Sequence, residues 1–598
     1  MAICKEDMNI VIVGHVDHGK STIIGRLLAD TNSLPKGKLE QVKEICRRNS
    51  KPFEYAFLLD ALKDEQAQGI TIDTARCFFK TKKRNYIIID APGHLEFLKN
   101  MVTGASRAEA ALLVVDAKEG VKENSRRHAY MLSMLGVKQI SVLVNKMDLV
   151  NYDMKIYKNI VNELKDFFKK LDIEVKSFIP VSGMMGDNIA INSTNMNWHK
   201  GETVLETLDS FKAEEKPINK PFRMPIQDVY KFTKNNDNRR ILAGRILAGQ
   251  LSIGDEVVFY PSGKKSKVKK IESFNKENQK TVSTGYSVGF TLEEQIFIKR
   301  GEIATLYKEL NPKVTTRIKV NLFWLGKEPM EMGKKYSLKL GTAKVGVKIE
   351  QLNKIIDASN LESIRKDKIE KHDVAECVLK LDKAVAFDLA HEIVETSRFV
   401  IVDNYSIAGG GIILKGLEDK ENWVREKVLI RNYKWEKSMI TQEERSEKYN
   451  QRPTLILITG EKNIGKKTIA KALEKILFND GKIVYFLGIG NVLYGVDADI
   501  KTSTNNRKDE SLRRLAEVAN IMIDAGVILI LTAVELSQNN LDIIKTTINS
   551  ERIETIWVGE NVTTNISYDL RISSSDPLEK AVREIKTLLQ NKGIIFKP

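Results

Sequence analysis

Two α/β domains flanking a pair of small β-barrels form the architecture this sequence predicts, and three observations carry it. Short apolar runs alternate with longer helical patterns at both ends of the chain. Between them the texture changes to short strands punctuated by glycine, and a glycine-lysine loop follows the first strand of each α/β region. The 598 residues exceed one core, and at roughly 100 to 200 residues per domain three to five domains are expected.

The elements follow in order. In residues 1–216 the apolar runs Ile10 to Val13, Tyr86 to Ile89, Ala111 to Val115 and Ile140 to Val144 read as buried parallel strands covered by helices. Near Pro217 and Pro221 the pattern breaks into short strands separated by Gly249, Gly254, Gly263, Gly285 and Gly301. Two β-barrels are expected there, over 217–311 and 312–437, meeting near Asn311 and Pro312. A charged stretch over 438–453 reads as linker or exposed helix, and a second α/β domain occupies 454–598.

With 42% hydrophobic and 29% charged residues the chain has the balance of a soluble globular protein, without low-complexity tracts. No run of about 18 apolar residues and no signal-peptide layout is present, so a cytoplasmic protein without a membrane partner is expected. Cys4, Cys46, Cys77 and Cys377 are too scattered for a disulfide framework or a zinc site. The net charge of +16 is spread along the chain, which reads as a solvated basic surface rather than a nucleic-acid interface.

Gly14-His15-Val16-Asp17-His18-Gly19-Lys20-Ser21 has the phosphate-loop spacing G-x-x-x-x-G-K-[ST], between a strand and a helical run that begins with Ser21 and Thr22. Glycines let backbone amides wrap phosphate oxygens, Lys20 reaches the β and γ phosphates, and Ser21 is a magnesium ligand. A second buried strand ends in Asp90-Ala91-Pro92-Gly93-His94. That places Asp90 in the magnesium shell, the Gly93 amide near the γ-phosphate and His94 beside the attacking water. Asn145-Lys146-Met147-Asp148 closes a third strand. The Asp148 carboxylate accepts two hydrogen bonds from guanine that adenine cannot offer, so GTP is the expected ligand. Thr71, in Gly69-Ile70-Thr71-Ile72, is positioned to add its hydroxyl to the metal when a γ-phosphate is present, and Ser182-Gly183 offers backbone amides to the base.

These motifs, with two barrels behind them, resemble the translational GTPase superfamily, whose members include elongation factors Tu and 1-alpha. Further matches are similar to the large, GTPase subunit of bacterial ATP sulfurylase (sulfate adenylyltransferase subunit 1). They are Gln68 to Asp73, Met101 to Ser106 as M-V-T-G-A-S, Arg126-Arg127-His128, Asn145 to Val150, Arg245 to Gly249, Gly254 to Val257, Pro261 to Gly263, Tyr336 to Thr342 and Ile401 to Asp403. The resemblance covers roughly residues 5 to 435 and departs at Glu65-Gln66-Ala67-Gln68, where an arginine normally follows the first glutamate. It implies a partner, the small catalytic subunit that makes adenylyl sulfate from ATP and sulfate, and it implies that GTP hydrolysis here drives that synthesis. A tRNA-binding elongation factor is the alternative from another class.

Leu457 to Lys466, then Thr468-Ile469-Ala470, resembles adenylyl-sulfate kinase, with Gly460, Gly465, Lys466 and Thr468 as a vestigial ATP site. The resemblance is incomplete. Lys467 stands where the family has a magnesium-binding serine, and Gly488 to Leu493 replaces D-G-D-N-V-R. Arg507 to Arg514 keeps part of a basic motif, S-P-Y/F is absent after Thr532-Ala533, and no R-D-P-K-G-L-Y segment follows Trp557-Val558-Gly559. The domain is expected to keep its fold and to have lost phosphoryl transfer, the alternative being an active bifunctional chain.

Overall fold

The computed structural model describes residues 7–48, 52–59, 75–91, 108–171, 173–213, 217–231, 239–272, 279–294, 296–358, 360–364, 366–418, 422–436, 438–488, 495–497, 507–548 and 550–596. They form two units, one ending at Leu417 and the other running from Glu418 to the C-terminus, with a three-residue exchange near residue 263.

The first unit opens with strands β1 (Asp7–Gly14), β2 (Ala75–Lys80), β3 (Asn85–Asp90), β4 (Ala110–Asp116), β5 (Gln139–Asn145) and β6 (Val175–Pro180). Their order in the sheet is β2-β3-β1-β4-β5-β6, with β2 antiparallel to β3 and the other neighbours parallel. The near-continuous apolar runs follow from burial on both faces. Val11, Val13, Leu113 and Val115 enter one core, while Ile10, Ile12, Leu112 and Val114 enter the core on the opposite face. The three motif strands, β1, β3 and β5, thus end along one edge, where parallel sheets place ligands.

A closed six-stranded barrel follows, from Met224–Lys231 to Ile303–Leu306, filled by Phe222, Met224, Phe259 and Phe290. The next strands run from Lys313–Trp324 to Ser406–Leu417 and close a second barrel through pairing of Tyr336–Leu340 with Ala343–Asp357. In Lys313–Trp324 the residues Ile318, Val320, Leu322 and Trp324 are buried at a spacing of two, which is the strand period with one face on the core. The helix Glu123–Met134 links the sheet to this barrel: its Tyr130 and Met134 share a core with Phe323 and Val374.

The second unit differs from the sequence expectation in where it starts. The barrel strands stop at Leu417, twenty residues before 437, and Asn422–Lys434 is a helix. Val424 and Val428 sit four apart, one helical turn, and bury against Leu512 and Leu541 of the C-terminal core. Within 438–453 lies another helix, Gln442–Tyr449, started by a reciprocal Thr441–Glu444 capping box. A five-stranded parallel sheet follows, in the order Val484–Leu487, Ile528–Thr532, Leu455–Gly460, Ile553–Val558, Leu570–Ile572. Leu455 and Leu457 face one core and Ile456 and Ile458 the other. The helix Arg507–Asp524 buries Leu512, Leu515, Ala519 and Ile523 in the first of these cores, with Met522 half-buried beside them.

Among the described residues no helix is long and apolar enough to cross a membrane.

Candidate functional site

The turn after β1 is possible only with glycine at its two ends. Gly14 has φ 154° and a Cβ there would lie 2.4 Å from the Val114 carbonyl oxygen. Gly19 has φ 85°, and its Cβ would meet the Asn145 side-chain nitrogen at 2.3 Å. Between them the backbone curls round the Lys20 ammonium, which donates to the carbonyls of Gly14 at 3.0 Å and His15 at 2.8 Å. Burial lowers the Lys20 pKa to about 8, against the raising influence of Asp90 and Asp17. Lys20 opens the helix Lys20–Asp30, whose N-terminal amides add to the anion-attracting character of the loop.

Ser21 Oγ donates to Asp90 Oδ2 at 2.9 Å, so the two expected magnesium ligands, one from the helix start and one from the end of β3, meet. Asn145 is the staple of the site: its Nδ2 donates to the His18 carbonyl at 2.8 Å and its Oδ1 accepts from the Gly183 amide at 2.9 Å. Asp148 sits half-buried in a short 3-10 turn, Met147–Val150, and makes no hydrogen bond among the described residues. Val16, Asp17 and Thr22 lie on the loop and the helix start, Asp17 exposed with φ 61°. The geometry at Ser182 differs from expectation. The Ser182 amide donates to Asp187 at 3.3 Å and that of Gly183 to Asn145, so both amides brace the loop. Thr71, Gly93 and His94 lie outside the described residues, as does Met101 to Ser106.

Asp116 escaped the sequence reading, and so did the clustering of His15, His18 and His128, which it named only as motif residues. Asp116 ends β4 and pairs with Lys146 at 2.8 Å, accepting also from the Lys118 and Glu119 amides at 2.7 and 3.2 Å. Burial raises its pKa, but the Lys146 and amide hydrogen bonds outweigh that and hold it below the ordinary value. Its signal was available: it closes an apolar strand beside Gly14, Asp90 and Asn145. The second group is a cluster of histidines beside the loop. His15 Nδ1 lies 3.0 Å from Asn124 Nδ2, and the His15 and His18 rings meet edge to face at 5.1 Å. His18 is fully buried, with Nδ1 3.2 Å from the Val114 carbonyl, and His128 is buried on the helix Glu123–Met134. Burial foremost lowers His18 to about 4 and His128 to about 3, while an unfolded histidine titrates near 6.5.

Between pH 6.5 and about 4 the unfolded chain therefore binds protons that the folded cluster refuses, and stability falls as pH falls. The melting temperature of the first unit is expected to drop across this window, and less steeply in His128→Leu. An unchanged slope in that variant would reject the assignment.

The second unit repeats the loop. Gly460 has φ 143° and its Cβ would meet the Val558 carbonyl oxygen at 1.9 Å; Gly465 has φ 80°. Lys466, 7% exposed, donates to the Gly460 carbonyl at 3.0 Å and to that of Glu461. What differs is the metal position. Lys467 is exposed where the first loop has Ser21, and Thr468 is exposed beside it. Strand register pairs Ile12 with Asp90 in the first sheet and Ile458 with Thr532 in the second, each two residues before the loop's first glycine. Thr532 thus occupies the place of the Asp90 carboxylate. Residues 489–494 lie outside the described residues.

Residues 5–214 match the Elongation factor Tu GTP binding domain, 317–414 the GTP-eEF1A C-terminal domain-like family and 452–571 Adenylylsulphate kinase. Fold and site together define a GTP-binding P-loop protein with two barrels and a second P-loop domain of adenylylsulfate-kinase type. The chain is 33% identical to the bifunctional enzyme NodQ of Rhizobium sp. (strain N33) over 533 residues, 88% of this chain and 80% of the relative. It is 33% identical to the bifunctional enzyme CysN/CysC of Rhodopirellula baltica over 545 residues, 90% and 83% of the two chains. To sulfate adenylyltransferase subunit 1 of Aeromonas hydrophila it is 34% identical over 421 residues, 70% and 88%. The chain belongs to the family of sulfate adenylyltransferase subunit 1 and the bifunctional CysN/CysC and NodQ enzymes.

Proposed function

We propose that this protein is the GTPase subunit of a sulfate adenylyltransferase, that its GTP hydrolysis drives adenylyl sulfate synthesis by a separate catalytic subunit in sulfate assimilation, and that its own C-terminal domain transfers no phosphoryl group. The observation that carries the reading is the contrast between the two loops: Ser21 and Asp90 meet at 2.9 Å in the first, and Lys467 and Thr532 hold the same positions in the second.

In the first site Lys20 and the loop amides bind the phosphates, Asn145 holds the loop in register with the base pocket, and Asp148 reads guanine. Ser21, Asp90 and, from outside the described residues, Thr71 would hold magnesium, which neutralises charge on the β and γ oxygens. His94 orients the attacking water. The similarity to a sulfate adenylyltransferase subunit 1 supports coupling to a catalytic partner. The bifunctional names of the other relatives and the intact second loop favour one rival, an active kinase using substitute residues.

One set of assays separates them. Adenylyl sulfate formed from ATP and sulfate by the purified catalytic subunit should rise when this chain and GTP are added, with GTP consumed; no change would reject the coupling. The full chain given adenylyl sulfate, ATP and magnesium should yield no phosphorylated product, and turnover at ordinary enzyme rates of about 1–100 per second would establish the rival.

A further inference from the structure

The metal that the kinase fold implies does not fit the second loop. The hydroxyl that follows the loop lysine in the first site is replaced here by the Lys467 side chain, and the register position that Asp90 holds in the first sheet is taken by Thr532, buried and neutral. Among the described residues two carboxylates, Glu535 and Glu461, act on the Lys466 ammonium, and both have hydrogen-bond partners. Glu535 donates its amide to Gly460 at 3.0 Å while its Oε1 accepts from Thr563 at 3.2 Å, and Glu461 Oε1 accepts from the Asn561 amide at 3.4 Å. The phosphate cradle itself is whole. Gly460 and Gly465 have φ 143° and 80°, close to the 154° and 85° of Gly14 and Gly19, and Lys466 reaches the carbonyls that correspond to those Lys20 reaches.

We infer that the second loop binds the phosphates of a nucleoside triphosphate without magnesium, the Lys467 ammonium standing in for the metal. A magnesium ion at this place would face an ammonium and, among the described residues, no hydroxyl and carboxylate paired as Ser21 and Asp90 are, a repulsion at a few ångströms that costs affinity. The uncomplexed triphosphate carries more negative charge than its magnesium complex, and Lys466 and Lys467 meet that charge directly. The inference rests on the reading that this domain is not a kinase. It makes the domain a metal-independent nucleotide-binding module.

The test is calorimetry of ATP binding to the full chain, in EDTA and in magnesium. Binding in EDTA should equal or exceed that in magnesium. Lys466→Ala should abolish it, and Lys467→Ser, at an exposed position that leaves the melting temperature unchanged, should weaken it about tenfold in EDTA. Binding strengthened tenfold by magnesium would mean that Glu535 or another group holds the metal, and would overturn the inference. Absence of ATP binding in both conditions would also overturn it and leave the inactive-kinase reading standing. Phosphorylation of adenylyl sulfate by the same preparation would overturn that reading itself.

Discussion

Arg223→Ala is expected to destabilise the first unit by about 3–5 kcal/mol, the usual cost of stripping one partner from a buried ion pair. Arg223 precedes the first strand of the first barrel and is 0% exposed; Asp388 follows the strand Asp373–Phe387 of the second and is 2% exposed. The guanidinium grips the carboxylate through Nε at 2.9 Å and Nη2 at 2.9 Å. Its remaining donors reach the carbonyls of Leu310 at 2.7 Å and Phe222 at 2.9 Å, so the hinge between the barrels is tied in as well. Thr396 Oγ1 completes the shell of Asp388 at 2.9 Å. Truncating the arginine leaves a buried carboxylate and two carbonyls short of donors. The urea midpoint of the first unit's transition measures the loss, and a shift worth less than about 1 kcal/mol would show the pair to be dispensable. Arg223→Met with Asp388→Leu should recover much of the stability, because matched apolar groups leave no charge unpaired.

That pair marks the limit of what the sequence tells. Arg223 and Asp388 are separated by 165 positions and belong to no motif, so their meeting is a product of how two barrels pack. Strands β1, β3, β4 and β5 of the first sheet were legible because each buried run is apolar on two faces, and three of the four end in a motif residue. Ser21 and Asp90 were legible as motif residues of known chemistry, one at the start of the helix after β1 and the other at the end of β3. The end of the second barrel was not: Trp423, Val424 and Val428 continue an apolar pattern past Leu417, and only packing against Leu512 and Leu541 makes that pattern helical. Ser182 and Gly183 follow β6, yet which acceptor each amide takes depends on Asn145 and Asp187, which no local pattern announces. Asp116 was missed because a lone aspartate after an apolar run has many bland explanations until Lys146 is seen beside it.

Asp148→Asn should convert the proposed guanine site into one that prefers xanthine. The half-buried carboxylate has no hydrogen bond among the described residues. It sits one turn beyond Asn145, whose amide fixes the approach of the loop and the 182–186 segment to each other. Guanine presents two donors on one edge, N1–H and the 2-amino group, and an ionised carboxylate accepts from both. An asparagine keeps one acceptor and turns the other atom into a donor that faces the 2-amino group. Xanthine carries a carbonyl at that position, so the same asparagine pairs with it fully. Losing one charge-assisted hydrogen bond and opposing two donors costs about 3 kcal/mol, so GTP affinity should fall about 100-fold while XTP affinity rises above it. The neighbouring Lys146–Asp116 pair and the Asn145 staple are untouched by the change, which keeps the loop in place. Competition binding with GTP, XTP and ATP reads the outcome. Retained GTP preference in the variant, or equal affinity of the parent chain for GTP and ATP at this site, would remove Asp148 from the base pocket and with it the assignment of guanine.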